Sequence, residues 1–263
     1  MNNMENKHLE ALGTTSRFLE KILDRIVALI LLLVVLFAGY SLWNSYKLYR
    51  QGSVDDGILK FKPSVENSGE NPSLYDLMKI NKDTIGWLTV EGTHIDYPVL
   101  IGEDNQEYLN QDVYKKFTLA GSIFLDSRNK RDFSDPYNIL HGHHIEHGGM
   151  FADVTLFEDK KFFEDHKYGR LYLADKTYDI EFFICSGADA YDSMIFDPPS
   201  TATMDQRFAL IDHMKSLAIQ KRDIDIRNDK LIALSTCQNA TTNGRTILLG
   251  VLRPMNGVRN ETN

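Results

Sequence analysis

Cys237 closes the run Leu231-Ile-Ala-Leu-Ser-Thr-Cys237, and the polar residues Gln238 and Asn239 follow it. A thiol at the end of a strand, opening into a polar loop, sits where rigid scaffolds carry nucleophiles. The chemistry of such a group is addition of a thiolate to a carbonyl, and it needs a base or a cation nearby. Two segments supply candidates. His141-Gly-His143-His144 follows the apolar run Asn138-Ile-Leu140, and Arg245 stands eight residues after Cys237, heading Thr246–Leu252. If the Cys237 and Arg245 strands are antiparallel neighbours, the seven-residue loop between them brings both residues to one rim. The plainer alternatives are an inert buried thiol and a solvated arginine at a strand end. Cys185, inside Ile180-Glu-Phe-Phe-Ile-Cys185, reads as a structural thiol.

The histidines allow a rival chemistry. His143-His144-Ile-Glu146-His147 matches H-x-x-E-H, a zinc-protease signature that needs both imidazoles on one helical face. Gly142 before it, Gly148-Gly149 after it and a strand leading into it argue against that helix. That context argues against the metalloprotease reading.

These residues need a scaffold, and the composition supplies one. The chain has 263 residues, 43% hydrophobic and 25% charged, which excludes disordered and collagen-like classes. A net charge of -8 argues against a nucleic-acid partner, and two cysteines cannot make a disulfide scaffold. Between Arg25 and Lys47, the 21 residues Ile26–Tyr46 carry no charge. At ~1.5 Å per residue they span about 30 Å as a helix, the thickness of a bilayer core. Tyr40, Trp43 and Tyr46 fall at the end of the run, where interfacial aromatics belong. The length exceeds a signal-peptide core, so an uncleaved single anchor is expected. Flanking charges tie, with Arg17, Lys21 and Arg25 before the span and Lys47, Arg50 and Lys60 after it. The size of the C-terminal part favours a cytoplasmic N-terminus and an external domain.

The expected organisation is a tail at 1–25, an anchor at 26–46, a stalk or helical extension at 47–73, a catalytic domain at 74–254 and a tail at 255–263. Eight segments read as short strands: 85–90, 94–101, 121–126, 137–140, 169–173, 177–184, 230–235 and 246–252. The fold class expected is mainly β, a closed barrel of about eight strands with a few helices. Helical pattern appears at 58–61, at Leu74–Asn81, in short turns within Met150–Phe163, and from Met204 to about Gln220. In the last, Phe208, Ile211, Lys215 and Ala218 share a line beside Leu210, Met214 and Leu217.

The motifs together resemble class B sortases, membrane-anchored cysteine transpeptidases of Gram-positive surfaces. Leu234-Ser-Thr-Cys237 is similar to the nucleophile signature T-L-x-T-C, with Ala233 at its first Thr. Asn138-Ile-Leu-His-Gly-His143-His144 is similar to the stretch written Y-G-H-H, with His141 where Tyr is usual, and Arg245 opens the last strand as the family's arginine does. Ile85-Gly-Trp87, Ile95–Leu100, Glu107–Asn110, Gly121–Asn129 and Gly149-Met-Phe151 agree, as does a helix before the nucleophile strand. The resemblance covers about Leu74 to Leu252.

It implies that Cys237, His143 and Arg245 cleave a C-terminal sorting motif of surface proteins after Thr. A thioacyl-enzyme would pass the protein to an amine of a peptidoglycan cross-bridge, or to a pilin subunit in a polymerising relative. Ser235, Asp96, Leu100, Met194 and Ile195 would line the peptide groove. The partners implied are sorting-motif proteins, the wall amine and membrane lipid, with no metal and no organic cofactor required. Two readings of other classes stand beside it: a membrane-tethered domain that binds wall material without chemistry, and a zinc protease using His143, Glu146 and His147.

Overall fold

Short runs that are apolar on both sides make strands buried on both faces, and a curved sheet with two covered faces results. The computed structural model describes residues 2–52, 54, 56–64, 70–145, 148–226, 228–237 and 243–255, and it divides at Lys47/Leu48. The first unit lies within one helix, α1 (Asn2–Gln51). Its stretch Arg17–Lys47 is long and apolar enough to cross a membrane, and Leu29–Phe37 expose their apolar side chains.

The second unit begins with two helices, α2 (Asp56–Leu59) and α3 (Pro72–Ile80). Strands follow: β1 (Thr84–Val90), β2 (Asp96–Leu100), β3 (Ile123–Leu125), β4 (Tyr137–His141), β5 (His144–Ile145) and β6 (Gly149–Met150). After a 3₁₀ segment (Ala152–Glu158) and α4 (Lys160–Asp165) come β7 (Tyr168–Tyr172) and β8 (Thr177–Asp189). Helices α5 (Ser193–Phe196) and α6 (Met204–Ser216), then β9 (Ala218–Lys221), β10 (Lys230–Cys237) and β11 (Gly244–Pro254), complete the domain.

The sheet runs β11-β10-β4-β3-β2-β1-β7-β8, and β8 pairs back onto β11, closing an eight-stranded barrel. All eight expected strands are its staves, and closure removes the unpaired edges that would template aggregation. Alternation sorts the side chains. Leu140, Ile232, Leu234 and Leu248 fill the interior with Val99, Leu125 and Leu171. Their neighbours Ile139, Leu231, Ala233, Ile247 and Leu249 face outward and are covered by Ile195 of α5 and by Leu210, Ile211 and Met214 of α6. On the other flank, Trp87, Leu100, Phe124 and Tyr172 pack beneath Ile58, Leu74 and Leu77.

Two expectations need correction. The late helix stops at Ser216, and Ala218–Lys221 is the strand β9, paired antiparallel with Ile184–Ser186 of β8. The Leu217 N–H caps the helix on the His213, Met214 and Lys215 carbonyls, and alternation of period two then takes over. The buried helix face is Arg207, Leu210, Ile211 and Met214, while Phe208 is exposed. The start of α6 is a capping box between Thr203 and Gln206.

Candidate active site

Three adjacent staves bring the candidate residues to one rim. β10 and β11 are antiparallel with Cys237 paired to Arg245, the juxtaposition expected from the loop length. β4 lies parallel to β10 on its other side, with His141 paired to Ser235. His143 therefore follows β4 by two residues, as Cys237 follows Ser235. The Gly142 N–H continues the ladder by donating to the Ser235 carbonyl (3.2 Å). Cys237 is described here by its backbone, and residues 238–242 lie outside the described residues.

A glycine is required between the two histidines. A Cβ at Gly142 would come within 2.5 Å of Ile123 and 2.7 Å of the Phe151 ring. The chain can thus turn tightly over those side chains, and the Phe151 N–H donates to the His143 carbonyl (2.9 Å). The His143 ring reaches the other way, with Nε2 2.8 Å from the Leu109 carbonyl oxygen. His144 belongs to the β5–β6 ribbon, paired with Met150, so the H-x-x-E-H stretch starts in extended chain and not in a helix. Glu146 and His147 lie outside the described residues.

His141, standing where the resemblance expects Tyr, has a polar anchor. Its Nε2 is 3.2 Å from Asp126 Oδ2, and its ring packs against Phe124. Arg128 grips the same carboxylate with Nε and Nη2, both at 2.8 Å, and Asn105 donates to it at 2.8 Å. Asp126 is buried. Burial alone would raise its pKa, but the hydrogen bonds from Arg128 and His141 hold the carboxyl well below the usual range. Arg128 also donates to the Phe196 carbonyl (2.6 Å) and pairs with Asp197 (3.2 Å). The β3–β4 rim is thereby tied to the segment after α5. The start of α5 is fixed in turn by Asp192, which accepts from the Met194 and Ile195 N–H groups and pairs with His213 of α6.

Asp126→Ala should cost about 2 kcal/mol in chemical denaturation, because it removes the acceptor shared by His141, Asn105 and Arg128 and empties a buried polar site, while Arg128 keeps the Phe196 carbonyl and Asp197. A depressed carboxylate pKa stabilises the fold above the unfolded value of about 4, and that contribution is lost as pH falls. The gap between wild type and variant should therefore be full at pH 7 and shrink below about pH 4.

The expected groove residues divide by exposure. Met194 is exposed, at 43%. Asp96 is half-buried and held by Trp87 Nε1 (2.7 Å) and Lys62 (2.5 Å). Ser235 is buried beside His141, with its carbonyl used by Gly142. Leu100 and Ile195 are fully buried in the two outer clusters and offer a peptide no surface. Ala233 is also fully buried, against the α6 layer. Cys185 lies in the barrel interior, and burial pushes its thiol up to about 12. Sequence reasoning missed Asp126, Arg128 and the Leu109 carbonyl. In the sequence, Gly121–Asn129 is legible only as a matching stretch, and a backbone acceptor carries no residue-type signal.

No family model matches the chain. Sortase B of Listeria monocytogenes is 30% identical over 247 residues, covering 89% of this chain and 98% of that protein. Sortase B of Staphylococcus aureus is 30% identical over 233 residues, 82% of this chain and 89% of that one. Among solved structures, a Streptococcus pyogenes class B sortase involved in pilus biogenesis superposes with a TM-score of 0.63 at 39% identity, covering 68% of this chain and 97% of its own. With a shared fold and 30% identity over most of the length of these relatives, the chain belongs to the class B sortases and is a sortase-type cysteine transpeptidase.

Proposed function

We propose that Cys237 is the nucleophile, His143 the acid/base and Arg245 the oxyanion partner in the transfer of surface proteins to an amine of the cell wall. The observation that carries this reading is the register that pairs Cys237 with Arg245 and His141 with Ser235 on neighbouring staves. The Cys237 thiolate adds to the Thr carbonyl of a sorting motif near the substrate's C-terminus. The C–N bond then breaks, a C–S bond remains, and the departing amine takes a proton from His143. An incoming wall amine gives a proton to His143, attacks the thioester and releases the thiolate. Arg245 contributes a permanent charge and fixed donors to the oxygen that becomes negative in both additions.

The groove reading keeps Asp96, Ser235 and Met194 as contacts and gives Leu100 and Ile195 the task of shaping its walls from beneath. In the cell, residues 1–25 would form a cytoplasmic tail and 26–46 a single-pass anchor. Residues 47–73 would be an extension, 74–254 the catalytic domain on the wall side, and 255–263 a short tail. Exposure of the apolar side chains of α1 supports the anchor.

A second reading of the acceptor has its own support. Identity to the pilus-biogenesis relative is 39%, against 30% for the two Sortase B relatives, although the aligned stretches differ. In that case the amine belongs to a neighbouring pilin subunit. The test is to incubate residues 48–263 with a library of Thr-containing pentapeptides and several amines, and to identify ligated products by mass spectrometry. The expected product joins an acyl fragment ending in Thr to a cross-bridge-type amine. Ligation only to lysine-bearing protein segments would favour the pilin reading. Cleavage with no transfer to any amine would contradict both.

A further inference from the structure

We propose that the Leu109 main-chain carbonyl fixes His143 as its Nε2–H tautomer, so that proton transfer runs through Nδ1, and that Gly121 is the positioning residue that leaves this carbonyl its place. The inference rests on the reading of His143 as the acid/base.

The carbonyl oxygen of Leu109, 2.8 Å from His143 Nε2, has lone pairs and no proton to give. A neutral imidazole can satisfy it only by carrying its hydrogen on Nε2, which leaves the lone pair on Nδ1. In the imidazolium the Nε2–H stays on Leu109, so the proton that comes and goes is the one on Nδ1. A histidine free to choose its tautomer would spend part of its time with the wrong nitrogen facing the reacting atoms.

The acceptor is rigidly held. Tyr108, the residue before Leu109, is fully buried. Its hydroxyl donates to Asp83 (2.9 Å) and accepts from Asn81 (3.0 Å), and its carbonyl accepts from the Ser122 N–H (3.0 Å). Gly121 closes the far side. Its backbone is left-handed, with φ +61, and a Cβ there would lie 2.5 Å from the Leu109 oxygen and 2.8 Å from the Tyr108 oxygen. Those atoms belong to backbone, so the clash cannot be relieved by turning a side chain. Any other residue at 121 must push the Leu109 carbonyl, and with it the His143 ring.

The experiment uses the full chain in detergent micelles with ¹⁵N-labelled histidine. Long-range ¹H–¹⁵N correlation of the imidazoles reads the tautomer, and the signals missing in His143→Gln identify His143. Wild type should show His143 protonated at Nε2 and bare at Nδ1. Gly121→Ala should lose that pattern and lower kcat by about 10- to 100-fold, the range expected for a misplaced acid/base, with KM within about twofold. An Nδ1–H tautomer in wild type, or a folded Gly121→Ala with both pattern and kcat unchanged, would overturn the proposal. If Gly121→Ala does not fold, the wild-type tautomer decides alone. His143→Gln also separates the two readings. Retained transfer in that variant would defeat the acid/base role itself, whereas an inactive variant beside an Nδ1–H wild type would defeat only the tautomer.

Discussion

Cys237→Ala is expected to abolish both cleavage of a sorting-motif peptide and its transfer to an amine, because no other thiol can reach the rim. The contrast is with Cys185, the second cysteine in the sequence. It is sealed in the barrel interior, and a thiol pushed up to about 12 is neutral at physiological pH. Cys185→Ala should keep most activity and lose about 1 kcal/mol of stability through a small cavity. A mild alkylating agent at pH 7 should therefore modify Cys237 alone in the folded protein, and Cys185 only after denaturation. Peptide assays on the two variants, with mass mapping of the alkylated sites, check both halves. Loss of activity in Cys185→Ala with retention in Cys237→Ala would reverse the assignment.

The second large effect separates the neighbouring histidines. His143→Ala should lose on the order of 10²-fold or more in rate, the usual contribution of a positioned acid/base, with the melting temperature little changed. His144 stands in the β5–β6 ribbon, and His144→Ala should keep substantial activity. His141 is a different case, since it pairs with buried Asp126 and stacks on Phe124. Steady-state kinetics of the His143 and His144 variants, with and without EDTA, make the comparison. A zinc mechanism using His143, Glu146 and His147 would instead show inhibition of the wild type by the chelator and loss of activity in His147→Ala as well.

The eight staves were legible because each is a short β-branched or apolar run between turn residues, the local mark of a strand. The cysteine–arginine pairing was legible for a similar reason: seven residues between two strands leave little choice but an antiparallel neighbour. The position of His143 needed more, because the parallel pairing of β4 with β10 joins segments 94 residues apart, as in Leu140 with Leu234 or His141 with Ser235. The family resemblance supplied what periodicity could not. The end of α6 was misread because Leu217, Ala218 and Ile219 continue an apolar pattern that suits a helix as well as a strand. Asp126, Arg128 and the Leu109 carbonyl stayed hidden because their roles arise from tertiary hydrogen bonds between segments with no common sequence signature. Leu100 and Ile195 show the converse: the resemblance implies groove contacts for them, whereas both side chains are fully buried in outer clusters.

The most direct test of the account is intact-mass spectrometry of the protein mixed with an uncleaved sorting-motif peptide in the absence of amine, followed by peptide mapping. The account predicts a covalent adduct whose added mass is that of the peptide fragment ending in Thr less one water, carried on the segment containing Cys237 and discharged when an amine is added. An adduct on Cys185, or turnover with no thioacyl species that amine can discharge, would contradict it.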